Sequence, residues 1–93
     1  MRRTTHRSDS THAAIVSALR LAGCTVWPLA GASGERRGAP DLLVARNGSL
    51  FLLEAKAAKG RLSADQVEWH AWWRSPVAVV RSADEALAAV GAR

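Results

Sequence analysis

Asp41, Glu54 and Lys56 are the residues whose types and spacing could do chemistry together. Asn47-Gly48 lies midway between the two acids. A two-residue Asn-Gly turn sets the register of a hairpin, because type I′ geometry needs positive φ at both central positions. Counting outward pairs Arg46 with Ser49, Val44 with Phe51 and Asp41 with Glu54. Directly opposed residues of an antiparallel pair hold their Cβ atoms roughly 4.5–5.5 Å apart. Carboxylates so placed repel each other unless a cation lies between them. Lys56, two residues past Glu54, projects from the same face of the strand, about 6.6 Å along. Two acids and a lysine on one face make a divalent-metal site with a cationic helper.

The elements that must position these groups follow from periodicity and caps. Residues 1–9 read as a basic flexible arm and residues 10–93 as a single domain. A helix is expected from about Ser10 to Ala22, with Ile15, Ala18, Leu19 and Ala22 as its apolar stripe and Gly23 ending it. Cys24 to Trp27 reads as a strand stopping near Pro28. Ala30 to Ala39 holds three glycines together with Glu35, Arg36 and Arg37, the composition of a mobile loop. Asp41 to Arg46 and Ser49 to Lys56 form the hairpin. Apolar residues on both of its faces imply a central hairpin covered on both sides. Ser63-Ala64-Asp65-Gln66 matches a capping box, opening a helix that runs to about Arg74. Val77 to Val80 reads as a short strand. Ser82-Ala83-Asp84-Glu85 is a second capping box, opening a helix through Ala89 or Val90. The order α-β-β-β-α-β-α describes an α/β sandwich around a mixed sheet.

Bulk properties bound the function. With 13 Lys+Arg against 8 Asp+Glu, the formal charge is +5 over 93 residues, a balance suited to a polyanionic partner such as nucleic acid. A lone cysteine, Cys24, excludes an intrachain disulfide and reads as a small buried apolar residue. No apolar run approaches the ~20 residues that span a bilayer, and the basic start is followed by no apolar segment of a secretory signal. The chain reads as cytoplasmic, without a membrane partner.

Gly38-Ala39-Pro40-Asp41, then Glu54-Ala55-Lys56, then Gly60-Arg61-Leu62-Ser63-Ala64-Asp65-Gln66 with Trp69 behind, resembles the VRR-NUC (virus-type replication-repair nuclease) branch of the PD-(D/E)XK superfamily. A bare PD…ExK pattern is weak; the same pattern with its hairpin, helix start and closing strand is far more specific. The resemblance spans roughly Ser10 to Leu87. It implies a restriction-endonuclease-like αβββαβ core, a mixed central sheet flanked by helices, with a short C-terminal helix. It also implies metal-dependent hydrolysis of DNA phosphodiesters by a bacterial or phage-encoded protein. Asp41, Glu54 and the carbonyl oxygen of Ala55 would bind Mg²⁺ or Mn²⁺, Lys56 would orient or activate the attacking water, and Gln66 would sit near the site. Small members of this branch look like homodimeric resolvases of branched DNA, such as Holliday junctions, or act on flaps. One departure stands out: the superfamily often supplies a further acid from the first helix, and here His12 stands about where it is expected. His12 is left open between a metal or phosphate contact and an exposed side chain.

Plainer roles stand beside these. Asp41 and Glu54–Lys56 could be a strand start and a surface charge pair, although a central hairpin makes that costly. Gln66 serves Ser63 as a cap partner, a role compatible with the site. Arg36, Arg37, Lys59 and Arg61 are either phosphate contacts or solvated charges. Trp69, Trp72 and Trp73, at i, i+3 and i+4, are expected to form core and part of a dimer interface. A non-cleaving nucleic-acid-binding module is the alternative to an endonuclease, and an interaction protein with incidental basic charge is a third reading.

Overall fold

Asn47 and Gly48 both take positive φ, 50° and 82°, the backbone of a tight hairpin turn, and the sheet is registered from that point. A computed structural model describes residues 7–29 and 36–93. Among them the elements run α1 (Arg7–Leu21), β1 (Thr25–Pro28), β2 (Leu42–Arg46), β3 (Ser49–Ala55), α2 (Ala64–Trp72), β4 (Val77–Val80) and α3 (Ala83–Ala89). This is the expected order. The strands form one sheet in the order β1-β2-β3-β4. β2 runs antiparallel to both of its neighbours, β1 and β3, whereas β3 and β4 are parallel. A parallel pair cannot be closed by a tight turn, so α2 and its flanking links supply the crossover.

The register places Arg46 opposite Ser49 and Val44 opposite Phe51, as the turn requires. Leu42 pairs with Leu53 and begins β2, so Asp41 stands one residue before the strand. Phe51, Leu53 and Ala55 consequently share one face with Leu42 and Val44. Leu50, Leu52 and Glu54 share the other with Leu43.

The first of these faces carries the core. Ile15 and Leu19 of α1 and Ala86 of α3, joined by Val90, pack against Val26, Leu42, Val44, Leu53 and Val80. Cys24 is a free, buried member of the same cluster. Fully burying each Leu, Ile or Val side chain is worth about 1.5–3 kcal/mol, so this face holds most of the fold's stability. α1 begins at Arg7, earlier than the expected Ser10, and Ala22 lies exposed in the turn beyond it rather than on the stripe. Of the expected arm, residues 1–6 lie outside the described residues, as do residues 30–35 of the glycine-rich loop.

The second face corrects an expectation. The hairpin is central, but among the described residues its second face is only partly covered. Trp27 is 69% and Leu50 71% exposed, while Leu43 and Leu52 are half-buried. Both α1 and α3 lie on the core face. On the second face α2 stands alone among the described residues. Between it and the sheet runs an apolar cleft of about 700 Å³, whose walls include Leu43, Leu50, Leu52, Trp69, Trp73 and Pro76. No described helix is long and apolar enough to cross a membrane.

Candidate active site

Pro40, which has no N–H to leave unpaired, is buried just ahead of the sheet. It delivers Asp41 to the start of β2, where the Asp41 carbonyl accepts from Leu29 N–H at 2.6 Å. The Asp41 side chain then acts as a ladder partner: its Oδ2 accepts the Ala55 N–H at 2.9 Å. This bond ties the first acid to the residue after the second. It leaves the other carboxylate oxygen of Asp41 for a further partner.

Glu54, only 1% exposed, is the buried charged residue among those described. Its Oε2 accepts from Gln66 Nε2 at 3.1 Å and lies 3.9 Å from Lys56 Nζ. No hydrogen-bond donor among the described residues reaches its Oε1. The Glu54 carboxyl is pushed up from 4.5 to about 8, first by burial, then by the Asp41 charge and a hydrogen bond with the Asp41 carboxyl, with Lys56 pulling the other way. Two neighbouring carboxyl groups, one of them buried, are arranged as a cation would want them.

Gln66 caps α2 and also touches Glu54. Its Oε1 accepts from Ser63 N–H at 2.8 Å, and Ser63 Oγ accepts from Gln66 N–H at 3.2 Å, completing the capping box of α2. The same amide donates from Nε2 to Glu54. The start of α2 is held in place by Gly38, whose φ is +97° and where an added Cβ would collide with the Asp65 carbonyl. Only glycine meets both conditions.

The remaining expected residues are less tightly gathered. His12 is half-buried on α1, and among the described residues no third His, Cys, Asp or Glu joins Asp41 and Glu54 in a metal-binding group. Arg36, Arg37, Lys59 and Arg61 are exposed, and the Arg36 guanidinium lies over the Trp72 ring, 4.3 Å from its centroid. Trp69 is 9% exposed and stacks on Trp73 at 5.0 Å, whereas Trp72 and Trp73 are open to solvent. One tryptophan of the stripe is therefore core.

Two residues were missed by sequence reasoning. His70 follows Gln66 by one helical turn, which puts it on the same side of α2. Burial first, and then the Lys56 charge, lowers its pKa. That i, i+4 spacing was the available signal. Arg81 binds the link after Lys56 through backbone carbonyls, and no local pattern announces such a contact.

The donor set at Asp41 and Glu54 is all oxygen, and the buried, donor-free Oε1 of Glu54 is the feature that fits a hard cation. Carboxylate oxygens suit Mg²⁺ or Mn²⁺, which retain waters in such sites.

A central β2–β3 hairpin between α1 and the α2–β4 crossover, with acids at its open end, defines the restriction-endonuclease-like α/β fold. More narrowly, a solved structure described as a VRR_NUC domain shares this fold with a TM-score of 0.74, covering 94% of this chain and 97% of that one at 23% sequence identity. No family model matches the sequence, and no curated protein matches it.

Proposed function

We propose that this chain is a metal-dependent endodeoxyribonuclease that hydrolyses phosphodiester bonds in branched DNA, such as four-way junctions or flaps. The observation that carries the reading is Glu54: a buried acid beside Asp41, with one oxygen held by Gln66 and Lys56 and the other without a donor among the described residues. The shared VRR_NUC fold and the net charge of +5 are in keeping with it. When bound by Asp41, Glu54 and the Ala55 carbonyl, Mg²⁺ or Mn²⁺ supplies charge neutralisation to the phosphoryl group. The chain's own groups do the rest. Ala55 N–H and Gln66 Nε2 fix the two carboxylates, so the acids need little reorganisation as charge develops. The Lys56 ammonium orients the attacking water and offsets phosphoryl charge. Arg36, Arg37, Lys59 and Arg61 contact backbone phosphates.

The exposed Trp72 and Trp73 support a homodimer, which would bring two sites to a junction under a two-fold axis. Trp73→Glu should then shift the species seen by sedimentation from dimer to monomer. A wild type that is monomeric at micromolar concentration removes this part of the reading.

The deciding experiment is a cleavage panel of four-way junction, flap, single strand and plain duplex with Mg²⁺ or Mn²⁺. Cutting of the branched substrates that vanishes in Glu54→Gln supports the proposal. DNA binding with no cutting under any metal favours the non-cleaving module, for which the two-acid site without a third His, Cys, Asp or Glu partner among the described residues speaks.

A further inference from the structure

Residues 57–62 form the link between Lys56 and the Ser63 cap of α2, and it has no helix or strand of its own. Its two exposed basic residues, Lys59 and Arg61, stand on that link. What holds it is Arg81, at the end of β4. Arg81 Nη1 donates to the carbonyl of Ala57 at 2.8 Å and to that of Gly60 at 2.6 Å. Arg81 is itself anchored, since its backbone N–H donates to Glu85 Oε1 at 2.8 Å. The link closes on itself where Gly60 N–H donates to the Ala57 carbonyl at 2.9 Å, and Lys56 N–H donates to the Val80 carbonyl at 3.0 Å. One nitrogen of the guanidinium, Nη1, is thus engaged by both carbonyls.

We propose that Arg81 is a positioning residue which, by gripping the Ala57 and Gly60 carbonyls, presents Lys59 and Arg61 to the phosphate backbone of bound DNA. The inference rests on the nuclease reading and deepens it, because it says which part of the chain holds the substrate and what holds that part. Lysine keeps the charge at this position, but its shorter stem and compact ammonium do not reproduce the grip.

The test is binding of a fluorescein-labelled four-way junction in Ca²⁺ across a salt series. It uses the full chain, Arg81→Lys, Arg81→Met, the Lys59→Ala/Arg61→Ala double variant and the triple variant that adds Arg81→Lys. Each phosphate that is no longer neutralised lowers the slope of log K against log salt by about 0.9. Arg81→Lys is expected to weaken binding roughly tenfold and flatten the slope by about 1.8, because Lys59 and Arg61 no longer reach phosphate although the charge at position 81 is retained. In the double variant the same change adds nothing, because the residues act as one unit. A merely structural Arg81 would lower the melting temperature and leave the slope alone, which overturns the proposal. So does Arg81→Lys matching the wild type while Arg81→Met flattens the slope by a single phosphate, for then Arg81 touches phosphate itself. Amide exchange at Gly60 in the wild type gives an independent reading if the variants fail to fold. Protection before DNA is added shows the turn preformed through the Ala57 carbonyl, as the grip requires, and exchange at the rate of an open chain overturns the proposal. A wild type that binds no junction sinks the nuclease reading instead, and the Gly60 result stands apart from that.

Discussion

The two faces of the sheet are built to different ends. On the core face Leu42, Val44 and Leu53 are sealed under α1 and α3. On the other, α2 lies over a cleft, Trp27 and Leu50 face solvent, and an acid, Glu54, is almost wholly buried. Here one face supplies the stability that lets the other hold Glu54 where burial disfavours its charge. Chemistry and cohesion are separated by the thickness of a single sheet.

That contrast can be tested from its strongest consequence downward. Glu54→Gln should cut metal-dependent DNA cleavage by at least about a thousandfold, the effect of losing several kcal/mol of transition-state stabilisation, while the chain stays folded by circular dichroism. Next, Leu53→Ala on the core face should cost about 2–5 kcal/mol in urea denaturation. Leu50→Ser, three residues away on the open face, should stay within about 0.5 kcal/mol, and comparable losses for the two would erase the asymmetry. Gly38→Ala sits between these, at about 1–3 kcal/mol for a residue forced into positive φ. Its collision with Asp65 should also push Gln66 from Glu54, so activity falls further than stability does.

The smallest effect is a pH slope. The folded carboxyl of Glu54, near 8, lies above its unfolded value of 4.5. Between these limits the folded, metal-free chain keeps a proton that the unfolded chain has released. Its stability therefore falls as pH rises through that window and levels off above it. Melting curves in EDTA should show this decline, and Glu54→Gln should flatten it. A wild type whose melting temperature, measured against that of Glu54→Gln so that the opposing His70 contribution cancels, rises from pH 5 to 8 would contradict the assignment of Glu54 as a buried acid with a raised pKa.

Much of this was legible in the residues because the signals were local. Asn47-Gly48 fixed the register, which put Asp41 and Glu54 on one face, and Ser63 with Gln66 fixed the start of α2. The second cap was legible only in part: Ser82 Oγ accepts from Glu85 N–H, but Glu85 reaches back to Arg81 N–H rather than to Ser82. What escaped depended on distance in the chain. Alternating leucines in β2 and β3 say that both faces are apolar but not which one a helix will cover. Arg81 meets carbonyls 21 and 24 residues before it, and a carbonyl is offered by every residue, so no side-chain pattern marks the pair. The early start of α1 reflects the ordinary uncertainty of a helix end.

The amide of Gln66 has one further consequence. Ser63 N–H demands an oxygen from it, which obliges the NH₂ end to turn toward Glu54. The helix cap thereby acts as a polarity check on the acid's neighbour: a flipped amide would lose both bonds at once. Glutamate at position 66 would satisfy the cap equally well yet set a third negative charge against Glu54, so a change invisible to the fold would rewrite the charge on which any cation there depends.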